Sequence, residues 1–201
     1  MDQRDRQLEG KLFDAHSAEL MSMKMRAHDL CREYNTLSDD DPRRNDIIAM
    51  LLGEKGERVG FAGNIMFNYG INTHIGSDFF ANFGLTVLDD GPVTIGDHVM
   101  IGPNVSIMCS THPLIPEERE NLLYPDGHRG MSEYAPPIRI GNHVWIACGA
   151  IITPGVTIGD GSVIGAGSVV TKDMPAGWLC CGVPCRPMHP ITEKDSKLTL
   201  V

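Results

Sequence analysis

The residue best placed for chemistry is a histidine. His112 stands in the run Ser110-Thr111-His112-Pro113, at the point where a regular sequence beat breaks off. An imidazole titrates near neutrality and can take a proton from a hydroxyl, a step that contributes about 10²–10⁴-fold to a rate. The plainer alternative is a histidine that caps a turn. Further polar groups that a regular repeat does not need are Asn68, Asn82, the pair Asp89-Asp90 and Glu133. Asn82 lies in Ala81-Asn82-Phe83, where the beat has a small residue elsewhere; an asparagine there can position a histidine or donate to a developing oxyanion. A second cluster, Thr171-Lys172 and Arg186, either binds phosphates or forms a solvated surface pair. No Gly-x-x-x-x-Gly-Lys-Ser/Thr loop is present, which argues against a P-loop nucleotide site. The histidines contain no His-x-x-x-His pair and the cysteines no Cys-x-x-Cys, so no metal is expected. Cys109, three residues before His112, reads as packing rather than as a thiol nucleophile, and the vicinal Cys180-Cys181 as packing rather than as a redox device.

These groups are carried by an unusual period. Ile140-Gly141, Ile146-Ala147, Ile152-Thr153, Ile158-Gly159, Ile164-Gly165 and Val170 fall six residues apart, and Ile95-Gly96, Ile101-Gly102 and Ile107 keep the same beat. Four positions after most of these aliphatics comes a second small or β-branched residue: Val99, Val105, Val144, Ala150, Val156, Ser162, Ser168. A helix repeats near 3.6 and a strand at 2, so neither explains six. A hexapeptide repeat marks a parallel β-helix of short stacked strands, with one aliphatic per strand turned inward. The predicted organisation is a helical segment at 1–58, a β-helix at 59–188 and a polar tail at 189–201. In the helical segment Leu20, Met21, Met23, Met25, Ala27, Leu30 and Tyr34 form a loosely helical stripe, read as core or as a cover for the open end of the β-helix. Between Ile107 and Ile140 the beat disappears; that polar, turn-rich stretch is expected as an extruded loop at about 110–137, where a rigid scaffold concentrates function.

Composition narrows the classes. A net charge of −9 argues against a nucleic-acid surface or an anionic membrane as partner. The 22 glycines and 13 prolines would suggest disorder, but a β-helix uses them at its corners. No long apolar run and no signal-peptide core are found, and the cysteines have no disulfide-framework spacing. A cytoplasmic protein with reduced thiols is the expectation.

Several longer stretches resemble one family. Gly10-Lys11-Leu12-Phe13 with Arg26 to Asn35, Phe79-Phe80-Ala81-Asn82-Phe83, Val87-Leu88-Asp89-Asp90, His112-Pro113, Asn142-His143-Val144-Trp145-Ile146, Pro154-Gly155-Val156-Thr157-Ile158-Gly159, Ile164 to Asp173 and Gly182-Val183-Pro184-Cys185-Arg186 together resemble hexapeptide-repeat sugar O-acetyltransferases of the maltose, galactoside and nodulation-protein type. The resemblance implies a mainly β fold, a left-handed parallel β-helix, assembled as a homotrimer with active sites between subunits. It implies transfer of an acetyl group from acetyl-CoA to a sugar hydroxyl by direct attack, without metal, with His112 as general base and Asn82 fixing the reacting groups. Asn68 and Asp90 would face the acceptor. The backbone N–H of Cys148 would stabilise the thioester oxyanion, and Ala166, Thr171, Lys172 and Arg186 would line the CoA arm. The aspartate that galactoside-type enzymes place in their first helix aligns with Ala15, and Asp14, one position earlier, is assigned to the acceptor side. Glu133 polarises His112, binds a hydroxyl, or is merely an exposed loop carboxylate. The competing readings are a xenobiotic or serine O-acetyltransferase on the same scaffold, and a non-catalytic trimeric β-helix binding protein.

Overall fold

Each hexapeptide contributes two inward residues, and both are buried. Ile140, Ile146, Ile152, Ile158, Ile164 and Val170 are at most 3% exposed, and Val144, Ala150, Val156, Ser162 and Ser168 are buried beside them. Three hexapeptides close one coil, so each aliphatic stacks on its equivalent a coil away. In the computed structural model, which describes residues 1–200, Ile75, Ile95, Ile140 and Ile158 form one parallel ladder. Ala81, Ile101, Ile146 and Ile164 form a second, and Val87, Ile107, Ile152 and Val170 a third. The result is a mainly β, parallel β-solenoid of three sheets, with the core running down its axis. Val201, the last residue of the expected tail, lies outside the described residues.

Coil length is not uniform, and the irregularity is local. The later coils advance 18 residues (Ile140 to Ile158), whereas the earlier ones advance 20 (Ile75 to Ile95). The extra residues all fall at one corner, after the strands Ile65–Phe67 and Leu85–Leu88. The long insertion leaves from the same corner one coil later, after Ser106–Met108. Asp89 holds this widened corner together. It is fully buried, and its carboxylate accepts from the Tyr69 amide at 2.8 Å and the Thr73 hydroxyl at 3.0 Å. Another corner is tighter and is zipped by Asn and Asp side chains that accept from backbone amides of the neighbouring coil. Asp97 N donates to Asn142 Oδ1 and Asn142 N to Asp160 Oδ1, both at 2.8 Å. A Cβ on Gly96 would strike that Asn142 amide, which is why glycine follows the inward isoleucine there.

The open end of the solenoid is plugged by three helices, α1 (Gln3–Leu8), α2 (Ala18–Tyr34) and α3 (Arg43–Leu51). Leu20, Tyr34, Ile47 and Leu51 join Phe61, Phe67 and Phe79 in one continuous core. The exposed sheet edge is satisfied by Asn35, whose amide donates to Ile65 O and accepts from Ile65 N, both at 2.9 Å, as a neighbouring strand would. The helical stripe covers this open end, but Leu20, Ala27 and Tyr34 carry it rather than the methionines. Met25 is exposed and Met23 only partly buried; Ala27, Cys31 and Tyr34 do the packing on α2. Pro42 sits just before α3, as its fixed φ favours. At the far end, Trp178–Gly182 turns back antiparallel on Cys185–Pro190 and covers the last sheet edge. Two 3₁₀ turns, Glu193–Asp195 and Leu198–Leu200, complete the tail. Among the described residues no helix is long and apolar enough to cross a membrane.

The insertion is an ordered protrusion. Its neck is an antiparallel bridge, Thr111 with Tyr134, closed by two 3.0 Å backbone hydrogen bonds. Beyond the neck lie α4 (Pro116–Glu120), a hairpin of Leu122–Leu123 with Arg129–Gly130, and the strand Ser132–Glu133. That strand pairs antiparallel with Phe13–Asp14, so the start of the chain clasps the end of the loop.

Candidate active site

The neck explains the first contact of the site. Because Thr111 pairs with Tyr134, the next residues along each arm, His112 and Glu133, face each other. His112 Nε2 lies 3.8 Å from Glu133 Oε1. Its Nδ1 lies 3.0 Å from the Ser132 carbonyl. A carbonyl can only accept, so Nδ1 carries a proton, and in the neutral ring Nε2 keeps its lone pair. His112 is 42% exposed and the Glu133 side chain only 13%. Burial pushes the Glu133 carboxyl well above the usual carboxylate range, the charge of Asp90 pushes it further, and Lys24 and His112 pull it back. One Glu133 oxygen, Oε2, is buried without a hydrogen-bond partner.

The widened corner supplies the rest. Asn68 and Asp90 occupy this corner in successive coils, and Asn68 Nδ2 donates to both oxygens of Asp90 at 2.9 and 2.8 Å. The Asp90 carboxylate is 1% exposed, with Lys24 Nζ 3.9 Å away. His28 Nε2 meets Asn68 Oδ1 at 3.2 Å. Lys24 and His28 both come from α2 and were not anticipated from the sequence. Their spacing of four puts them on one helix face, a signal present in the sequence but masked by the methionines around them.

Asp14 does not join this group. Its carboxylate lies 3.4 Å from His128 Nε2 and accepts from the His16 amide at 3.0 Å. Asp14 pairs with Ser132 rather than with Glu133, and alternation along a strand sends neighbouring side chains to opposite faces. Ala15, the aligned position, is fully buried.

The other half of the candidate site lies at a different corner. A largely apolar groove of about 610 Å³ is lined by Asn82, Cys148 and Ala166 together with Phe80, Met100 and Trp145. Asn82 and His112 sit at opposite ends of one solenoid face. Between their corners runs Leu85–Leu88, a strand that alone spans about 13 Å. Thr171, Lys172 and Arg186 are exposed and do not line the groove. Arg186 stands on the terminal hairpin opposite Cys181, one coil beyond Gly165 of the groove, whereas Thr171 and Lys172 follow Val169–Val170, two coils beyond Ile107, at the corner from which the loop leaves. Cys109 is fully buried, its thiol pushed up to about 12 by burial, and its Sγ contacts Pro136 O at 3.0 Å. Cys180 is likewise packed in the core. Among the described residues no group of three metal-ligating side chains comes together.

A solenoid of hexapeptide coils, capped by helices and broken by one loop that bears a histidine, defines a class of transferase, and comparison with known proteins agrees. Residues 6–56 match the family described as maltose acetyltransferase hexapeptide capping motif. Residues 137–172 match bacterial transferase hexapeptide (six repeats), and residues 92–112 match hexapeptide repeat of succinyl-transferase. The galactoside O-acetyltransferase of Escherichia coli K12 is 41% identical over 92% of this chain and 88% of its own length. Among solved structures, a maltose O-acetyltransferase from Clostridium difficile 630 is 40% identical with a TM-score of 0.88, covering 96% of this chain and 99% of that one. A galactoside acetyltransferase in complex with coenzyme A is 41% identical with a TM-score of 0.88, covering 97% and 94%. The chain belongs to the hexapeptide-repeat acetyltransferase family, a family of acyltransferases.

Proposed function

We propose that this protein transfers the acetyl group of acetyl-CoA to a hydroxyl of a sugar by direct attack, with His112 as general base. The observation that carries the reading is the Nδ1 contact to the Ser132 carbonyl, which in the neutral ring points the Nε2 lone pair toward Glu133 and the open corner. The acceptor oxygen loses its proton to Nε2 as it attacks the thioester carbon. The C–S bond then breaks, and the imidazolium returns the proton to the departing CoA sulfur. Glu133, once ionised, stabilises the imidazolium formed in between. Much of the rate comes from holding the acceptor oxygen against the thioester carbon. Asn68, His28, Lys24 and Glu133 offer donors and acceptors for sugar hydroxyls, while Asp90 acts from behind Asn68.

The apolar groove suits the pantetheine arm, with Asn82 and the Cys148 amide at the thioester. The amides flanking Cys148 are engaged, Ala147 with Ile164 O and Gly149 with Pro103 O, whereas among the described residues the Cys148 amide donates to no carbonyl. It is therefore available to an oxyanion. Arg186, beyond the end of the groove, and Lys172, supplied from the loop-side corner of a neighbouring copy, would meet the CoA phosphates.

Distance makes the assembly part of this reading. Asn82 and His112 of one chain sit too far apart to hold the same acetyl group, so a complete site takes one corner from each of two copies, as in a trimer. The outward ladder Phe80, Met100, Trp145, Val163 and Leu179 supports this, because it presents an apolar stripe to solvent in the single chain. Trp145→Asp is expected to leave the coil intact, since the residue is 47% exposed, but to dissociate the assembly, which sedimentation reads independently of turnover because Trp145 also lines the groove. Sedimentation showing an unchanged oligomer would remove Trp145 from the interface.

Release of CoA from acetyl-CoA, measured against galactosides, glucosides, maltose, serine and chloramphenicol, tests the whole proposal. Turnover of a sugar supports it, and turnover of serine or chloramphenicol alone replaces the acceptor class. Acetyl-CoA at a hundred times its Kd is expected to stabilise the fold by about 2.7 kcal/mol. No thermal shift at all would mean the groove does not take this ligand.

A further inference from the structure

The loop carries a second set of polar side chains that the scheme above leaves idle. Tyr124 is 2% exposed, and its hydroxyl lies 2.9 Å from Ser132 Oγ. His128 stacks on the Tyr124 ring with centroids 4.6 Å apart and planes 4° from parallel. The Arg6 guanidinium, from α1, stands 5.5 Å from the centre of the same ring. His128 is held at both nitrogens: Nδ1 is 2.6 Å from Asp126 Oδ1 and Nε2 is 3.4 Å from Asp14 Oδ2. Asp14 pairs through its backbone with Ser132.

All these contacts converge on Ser132. Its hydroxyl is held by Tyr124, its backbone by the Phe13–Asp14 strand, and its carbonyl accepts a hydrogen bond from His112 Nδ1. The hairpin tip is thus folded back and pinned to the first strand of the chain, behind the base and on the side away from Glu133. Which imidazole nitrogen carries the proton is set by the partner of the other. A displaced Ser132 carbonyl would free the ring to rotate or change tautomer. Burial raises the Tyr124 phenol above its ordinary range and the Ser132 contact eases it, in keeping with a closed, water-poor pair.

We propose that Tyr124, Ser132 and His128 are positioning residues that latch the loop tip to the N-terminal strand and thereby fix the tautomer and orientation of His112. The proposal rests on the reading of His112 as the base. The latch acts on the acceptor half of the site and leaves the acetyl-CoA groove, at another corner, untouched.

Tyr124→Phe, Ser132→Ala and their double variant test it in the full-length protein. Each single change is expected to lower kcat about three- to tenfold, the value of one neutral hydrogen bond, with the KM for acetyl-CoA unchanged. The double variant should fall no further, because both changes remove the same bond. The ¹⁵N resonances of the His112 ring, assigned by loss in His112→Ala, should show Nδ1 protonated in the wild type and mixed tautomers in either variant. His128→Asn lies nearer the surface and should shift the tautomers in the same direction even if the buried variants fold poorly. Multiplying losses in the double variant, or an unaltered His112 spectrum in every variant that folds, would overturn the latch. The spectrum is read without turnover. If His112→Ala keeps wild-type activity, the base assignment fails while the latch is still judged on the tautomer.

Discussion

Replacing His112 by alanine is expected to lower kcat by about 10²- to 10⁴-fold, the range that a positioned general base contributes. Acetyl-CoA affinity should stay as it is, because His112 is absent from the groove that Asn82, Cys148 and Ala166 line. CoA release and thermal shift measured on the same preparation separate the two. A variant that turns over within tenfold of wild type, with acetyl-CoA still binding, would show that another group takes the proton. The pH dependence should point the same way. Glu133 is raised by burial and by Asp90, so it becomes neutral as pH falls through the neutral range rather than at pH 4. Below that range the imidazolium formed during transfer loses its counter-charge. Activity is therefore expected to fall on the acid side as Glu133 loses its charge. Glu133→Gln should lower kcat and change the position of that limb. An identical limb in Glu133→Gln would mean that the carboxylate does not take part.

The second large effect concerns stability. Asp89→Ala leaves the Tyr69 amide and the Thr73 hydroxyl without an acceptor in a buried corner. Each stranded donor costs about 1–3 kcal/mol, so a loss of roughly 2–5 kcal/mol is expected in urea unfolding. Burial pushes the Asp89 carboxyl up to about 6 in the folded chain, with the Tyr69 amide and other donors opposing, against about 3.9 for an unfolded aspartate. The folded state therefore binds this proton more tightly than the unfolded state. The contribution of Asp89 is full below about pH 3.9 and declines as pH rises through about 6. The gap between wild type and variant should accordingly be larger at pH 5 than at pH 7.5. A loss under 1 kcal/mol at both values would show that the corner does not depend on this carboxylate. The corner also carries Asn68 and Asp90, so a destabilised variant should lose activity faster than fold.

The two kinds of residue singled out in the sequence fared differently for a physical reason. The solenoid was legible because its contacts repeat: a stacked coil presents the same environment every 18 to 20 residues, so Ile140, Ile158 and their equivalents answer to one rule. The break after Ile107 marked the loop, and the His112-Pro113 motif with Asn82 marked two ends of the candidate site. The contacts between those groups obey no period. Glu133 reaches His112 because the Thr111–Tyr134 neck closes the loop on itself. Asp14 is drawn to His128 because it shares a strand pair with Ser132. Lys24 and His28 enter because α2 plugs the coil from which Asn68 projects.

By itself, then, the sequence determined the parallel coil and the place where it is interrupted, since both are written in local spacing, and its motif stretches carried the resemblance that marks the family. The tertiary structure alone decided that two extra residues per early coil bring Asn68 and Asp90 to the corner from which the loop leaves, and that Asn82 and His112 stand at opposite ends of a face. Those are consequences of stacking and loop closure between segments far apart in the chain, where no residue's identity announces its partner.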